Sequence, residues 1–186
     1  MNFATLIFNS FGWKVENSLP NGIPPKAVII AAPHTSLIDF PIGFLTYKAL
    51  GVKAHYLIKK EAFFFPFGIL LKKWGGIPVD RYRKNTVVED VVTHFKNSKQ
   101  FILTVTPEGT RAKAKQWKNG YHRIATAAKV PVIIGFCDFK TKTVGVRAVY
   151  ELQGDSDFDT LQIQKYYVGM QGRHPELFYL PEEAFH

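Results

Sequence analysis

The chain has 186 residues, enough to bury one substantial core and short for two, and its 46% apolar and 21% charged residues are the make-up of a folded globular domain. That composition excludes a disordered chain and a collagen-like repeat, and a single cysteine, Cys137, excludes a disulfide scaffold. The formal charge of +9 is gathered in residues 51–130, which carry +11, so the middle of the chain presents either a cationic cleft for a phosphate-bearing or anionic partner or simply solvated helix faces.

At the start, Phe3, Leu6, Ile7, Phe8, Phe11 and Val15 recur near helical spacing, so residues 1–16 read as an amphipathic helix that either docks on the core or lies in a lipid interface. The segment lacks the cationic start and small-residue cleavage site of a secretory signal, and nowhere do ~20 apolar residues run together as a spanning helix requires. A cytoplasmic protein is the expectation. After a loop over 17–25, the apolar run 27–32 reads as a buried strand ended by Pro33. A helix follows over 37–50 and stops at Gly51, and 52–58 alternates as a second strand. Residues 77–79 form a very short strand. Thr86 starts a helix, with Glu89 completing a capping box and Val87, Val88, Val91, Val92 and Phe95 as its apolar stripe. Then come a buried strand at 101–105, a helix at 121–129, and strands at 130–136 and 143–150. Strands separated by helices of this length give a single α/β domain over 1–186, with a mixed, mostly parallel sheet flanked by helices and a C-terminal strand and helix within 137–186.

In such sheets the ligand site lies beyond the carboxyl ends of the strands. The segments that leave those ends carry His34 and Asp39, Lys59 and Lys60, Asp80 and Arg81, and Glu108 through Arg111. Within one regular helix His34 and Asp39 would diverge by about 140°. If His34 instead stays in the loop and the helix begins at 35–37, the loop can fold back so that the carboxylate holds the imidazole in one tautomer and leaves its other nitrogen free as a base. The competing structural reading is a capping box over 36–39, in which Asp39 only accepts backbone donors, although a start at Ser36 puts Pro41 past the first-turn positions. Ser36 itself suits helix capping better than a nucleophile's role. The turn Glu108-Gly109-Thr110-Arg111 suits an anion, with Arg111 offering a planar fork, or else Glu108 and Arg111 pair with each other on the surface. Cys137 follows an apolar run and reads as a packing residue, and His55, His94, His122, His174 and His186 sit in no comparable constellation and show no metal spacing.

Taken in order, His34-x4-Asp39, the run Gly75-Gly76-Ile77-Pro78-Val79-Asp80-Arg81, then Pro107-Glu108-Gly109-Thr110-Arg111, then Val130-Pro131-Val132-Ile133, resemble the four ordered blocks of the glycerolipid acyltransferases, whose best-known members are the lysophosphatidate acyltransferases. The blocks cover residues 28–136. The resemblance implies His34 as general base, Asp39 as its orienting partner, and Lys59, Arg81 and Arg111 as holders of the acceptor's phosphate. Glu108, Gly109 and Thr110 would shape the acceptor pocket, and Val130-Pro131 would line the acyl side. It implies no cofactor: an acyl-CoA or acyl-carrier-protein thioester donates the acyl group to a lysophospholipid, most simply 1-acylglycerol 3-phosphate. The enzyme would sit peripherally on the anionic inner face of the membrane, docked through residues 1–13 with Phe63-Phe64-Phe65 and Lys72-Lys73-Trp74.

The chemistry is consistent with that implication. Moving an acyl group from a thioester to an alcohol requires removal of the hydroxyl proton and stabilisation of an oxyanion, and a thiol with a pKa near ~8.5 leaves without a strong acid. A His-Asp pair is sufficient for direct attack in a ternary complex. Two rival readings stand beside it, acylation of a lyso-aminolipid and a non-catalytic lipid or acyl-carrier binding module. Nucleic-acid binding is not expected, since no recognised motif accompanies the basic region.

Overall fold

A computed structural model describes residues 2–80 and 84–186. Its centre is β2 (Lys26–Ala32), in which Ala27, Val28, Ile29 and Ile30 are fully buried because both faces of the strand are covered. Alternation sends Val28, Ile30 and Ala32 to one face and Ala27 and Ile29 to the other. Around it β1 (Lys14–Asn17), β3 (Ala54–Lys59), β4 (Gly76–Val79), β5 (Phe101–Val105), β6 (Val132–Asp138) and β7 (Thr143–Tyr150) form one seven-stranded sheet, in the order β1-β7-β6-β2-β5-β3-β4. The pairings from β4 to β6 are parallel, β7 runs antiparallel to β6, and β1 is parallel to β7. The register sets Ala32, Lys59, Val79 and Val105 at one rim of the sheet. The expected mixed, mostly parallel α/β sheet is therefore present.

One face carries α4 (Lys84–Asn97), α5 (Gly120–Ala128) and α6 (Ser156–Lys165), whose Val91, Tyr121, Ile124 and Ile163 pack on Ile30, Leu103 and Ile134. The other face takes α2 (Asp39–Ala49), which buries Tyr47 against Ile29, Ile102 and Ile133. Burying each such side chain contributes on the order of 1.5–3 kcal/mol. Against α2 lies α1 (Phe3–Ser10), where Asn2 accepts from Thr5 N–H and donates to the Lys48 and Ala49 carbonyls at the far end of α2. The N-terminal helix thus docks on the core through Ala4 and Phe8, while Phe3, Leu6 and Phe11 stay exposed. No helix of the described residues is long and apolar enough to cross a membrane.

Several elements differ from the sequence expectation. The N-terminal helix ends at Ser10 and not near residue 16: Gly12 turns the chain at φ +72°, Trp13 N–H closes on Phe8 O, and Val15 enters β1 beside β7. A helix not foreseen, α3 (Phe67–Lys73), follows Pro66 and contains Gly68. Pro66 precedes its first turn, where no N–H is needed, and Gly68 lets the backbone approach Phe63, since a Cβ there would stand 2.6 Å from the Phe63 carbonyl oxygen. The helix before β5 starts at Lys84, ahead of Thr86, and the side chain of Thr86 lies outside the described residues. At the other end of the chain Asp155 caps α6 by accepting from Asp157 and Phe158 N–H.

His122 also departs from expectation, because it belongs to a second His-Asp pair. Asp159, fully buried, accepts from His122 Nε2 at 2.8 Å, Tyr150 OH at 2.8 Å, Gln153 N at 3.0 Å and Gly154 N at 3.2 Å. Burial alone would raise the Asp159 carboxyl, but the hydrogen bonds from Gln153, His122, Tyr150 and Gly154 outweigh it and hold the group below its usual value. The pair fastens α6 to α5 and to the end of β7.

Candidate active site

The loop leaving β2 turns back on itself before α2 begins. One carboxylate oxygen organises it: Asp39 Oδ2 accepts from Thr35 N–H and Ser36 N–H, both at 2.8 Å, and lies 3.2 Å from His34 Nδ1. The contact with the His34 ring and the acceptance of backbone donors, rivals in the sequence, thus fall to the same atom. The helix starts at Asp39 itself, so Pro41 falls among the first-turn positions whose N–H groups have no partner in the helix. Asp39's side chain is 6% exposed and that of His34 22%, so the acid is dry while the imidazole reaches solvent. With Nδ1 engaged, Nε2 has no partner among the described residues. Ser36 caps nothing strongly. Its Oγ stands 3.4 Å from Ile38 N, α2 has no side-chain cap, and the residue does not line the cleft.

Glu108 is turned inward and does not pair with Arg111 on the surface. It is 4% exposed, and Oε1 accepts from His34 N–H at 2.9 Å, which ties the loop after β5 to the loop after β2. Burial pushes its carboxyl up to about 8; the hydrogen bond from His34 opposes the rise and the nearby Asp39 adds to it. With its carboxyl raised to about 8, Glu108 is mostly protonated at neutral pH and bonds the His34 backbone, not its ring.

A third tie comes from the C-terminal segment, where no sequence motif pointed to the site. His174 N–H donates to the buried Thr35 Oγ1 at 3.1 Å, and Gly172 lies so close that a Cβ there would stand 2.5 Å from the same oxygen. Beside it Gln171 donates to Asp138 Oδ1 at 3.0 Å and accepts from Phe139 N–H at 2.8 Å. The residue following the histidine is thus clasped from residues 171–174, more than a hundred positions away in the chain.

These loops border an open cleft of about 1690 Å³. His34, Asp39, Gly109, Thr110 and Arg111 line it, and Phe40, Gly43, Tyr47, Tyr56 and Leu71 give it an apolar flank between α2, β3 and α3. Lys59 stands at the rim with its side chain in solvent and outside the lining, and Arg81 lies outside the described residues. Val130 and Pro131, expected on the acyl side, sit ahead of β6 at the opposite end of the sheet, where Pro131 O accepts from Val28 N–H and Val130 packs on the core. Cys137 is half-buried on the cleft wall; burial, then Asp39 and Asp138, push its thiol far above the range of a nucleophile. Lys115, Lys118 and Arg123 also line the cleft. The run of alternating cations after Arg111 carried that signal, but as charge without direction.

The acyltransferase family model matches residues 14–134, well over half of the chain. Among solved structures, the crystal structure of the 1-acyl-sn-glycerophosphate (LPA) acyltransferase PlsC from Thermotoga maritima is similar at a TM-score of 0.57 and 20% identity, covering 88% of this chain and 73% of that one. That likeness is one of fold. No curated protein matches the chain. Its sequence blocks and its sheet lead to the same conclusion: the chain belongs to the acyltransferase family and is an acyltransferase with the PlsC fold.

Proposed function

We propose that the protein moves a fatty acyl group from an acyl-CoA or acyl-carrier-protein thioester to the free hydroxyl of a lysophospholipid, with 1-acylglycerol 3-phosphate as acceptor and phosphatidate as product. The observation that carries this reading is the His34 Nδ1 to Asp39 Oδ2 contact of 3.2 Å on the wall of a cleft with an apolar flank and a cationic one. The similar Thermotoga maritima protein acts on this acceptor, which supports the choice.

In the proposed reaction the acceptor hydroxyl donates to His34 Nε2. As its oxygen attacks the thioester carbon the proton passes to Nε2, and Asp39 stabilises the imidazolium that results. The tetrahedral intermediate expels the thiolate, which takes the proton back from Nε2. Glu108 and the Thr35 clasp hold the backbone on either side of the ring, so the imidazole needs little reorganisation. Arg111, with Arg81 and Lys59 by the family resemblance, holds the phosphate, and the flank of Phe40, Tyr47, Tyr56 and Leu71 takes acyl chain.

A lysophospholipid presents its hydroxyl at a bilayer surface, and the cleft rim is dressed for one. Phe65 is 83% exposed, and Phe11, Leu37, Phe64 and Phe67 are also largely exposed, on segments at or next to the carboxyl rim, with Lys60, Lys72 and Lys73 nearby in the chain. The protein therefore docks peripherally on an anionic membrane with its cleft facing the lipid, in this reading.

Replacing His34 by Ala should lower kcat for lysophosphatidate, followed as free thiol released from an acyl thioester, on the order of 10²-fold or more. Retained turnover would remove the base from the mechanism. Glu108 supplies a separate check. Folded, it keeps its proton to about 8, against a usual carboxyl value of 4.5, so the folded state binds the extra proton between these limits and loses stability as pH rises through them. Glu108→Gln keeps an oxygen for His34 N–H and cannot titrate. Its thermal midpoint should fall less than that of the wild type between about pH 5 and pH 8, and parallel curves would contradict a protonated Glu108. In pelleting with phosphatidylglycerol vesicles, the double variant Phe11→Asp, Phe65→Asp should lose most of the binding that the wild type shows; equal pelleting would place the membrane face elsewhere.

A further inference from the structure

The loop between β5 and α5 is closed at its base, where Lys118 N–H donates to Pro107 O at 2.8 Å. Inside it Gly109 takes φ +66°, a left-handed conformation that glycine adopts without strain. The space beside Gly109 is filled by Lys118. A Cβ on Gly109 would stand 2.8 Å from Lys118 Cδ, 2.9 Å from Cε and 2.7 Å from Nζ. The lysine is thus laid across the turn that the glycine makes possible, with its ammonium beside Gly109.

Lys118 and Arg111 both line the cleft, with Thr110 beside them. Among the described residues neither cation has a carboxylate within ion-pair distance, since the nearest acid in sequence, Glu108, faces His34. Both belong to the loop between β5 and α5 and both are exposed, so an anion of charge −2 entering the cleft there is attracted by both. Their shapes are complementary: a planar guanidinium bonds two oxygens, and a compact ammonium with rotatable donors takes a third.

We infer that Lys118 is a headgroup-binding residue that, with Arg111, makes the site select a phosphate monoester over a phosphate diester. This deepens the lysophosphatidate reading and rests on it. A monoester near neutral pH carries close to two negative charges and three terminal oxygens, whereas a diester carries one charge and two such oxygens. A single arginine satisfies a diester. The added ammonium gives its full return only with the monoester, and only above the second phosphate pKa near ~6.

The test uses the full chain with Lys118→Met, which keeps the aliphatic stem over Gly109, Lys118→Arg, which keeps the charge, and Arg111→Ala. Calorimetry with glycerol 3-phosphate and with the diester glycerophosphoglycerol reads binding without turnover, and initial rates with lysophosphatidate and lysophosphatidylglycerol read selection during it. Lys118→Met should weaken glycerol 3-phosphate binding and raise the lysophosphatidate KM on the order of 10- to 100-fold, with a much smaller change for the diesters. Lys118→Arg should recover most of the loss. The wild-type rise in lysophosphatidate KM on acidification below pH ~6 should flatten in Lys118→Met, a change that mere loosening of the loop would not produce. If Arg111→Ala weakens the monoester but Lys118→Met does not, or weakens monoester and diester alike, the assignment of Lys118 is wrong and the acceptor reading stands. If lysophosphatidate is not turned over while the wild type still prefers glycerol 3-phosphate through Lys118, the acceptor reading fails and the selection survives. If neither variant affects the monoester, both fall.

Discussion

The structure turns on one carboxylate oxygen. Asp39 Oδ2 gathers the N–H groups of Thr35 and Ser36 and stands beside His34 Nδ1, so the atom that ends the turn after β2 also fixes the ring. Its side chain is almost wholly buried, where each of these interactions is stronger than in water and an unpaired donor would be costly. The first turn of α2 follows directly, with a proline placed where a missing N–H does no harm. Chain reversal, helix start and the contact with the ring therefore meet at one side chain.

The sheet makes that event useful. Parallel pairing of β4, β3, β5, β2 and β6 delivers the loops that leave these strands to the same rim, so residues distant in sequence converge on His34. Glu108 reaches it from the loop after β5, and the segment 171–174 reaches its neighbour Thr35 after the chain has crossed the whole sheet. Asp39 touches the His34 ring, and Glu108 accepts from the backbone N–H of the same residue. Environment, not residue type, separates these roles, since burial with Asp39 close by keeps the proton on Glu108.

Much of this was legible in the sequence, and for a physical reason. Strands buried on both faces must be continuously apolar, which is why β2, β5 and β6 stand out, and helices between them need one apolar stripe, which marks α4. The His34-x4-Asp39 spacing marked the candidate site but left two readings of Asp39 in competition, because spacing does not say that one oxygen meets both the ring and the backbone donors. What stayed hidden was set by contacts between remote residues. Nothing local in residues 171–174 announces a clasp on Thr35, nor does His122 announce Asp159. β1 was hidden by a helical spacing of apolar residues that Gly12 cuts short, and α3 by Pro66 and Gly68, which look like breakers and act as its entry. Val130-Pro131 belongs to the right strand at its wrong end, since a sequence block marks a strand without marking which end faces the site.

In the proposed mechanism Asp39 holds the His34 ring through Nδ1 and leaves Nε2 unprotonated for the acceptor hydroxyl. Nitrogen-15 spectroscopy of the labelled wild-type protein, at a pH where the ring is neutral, reads the proton's position directly. A proton on Nδ1 of His34, with Nε2 bare, and loss of that preference in Asp39→Asn, is the predicted result. A wild-type ring carrying its proton on Nε2 would contradict it, because such a ring has no lone pair to offer an incoming hydroxyl.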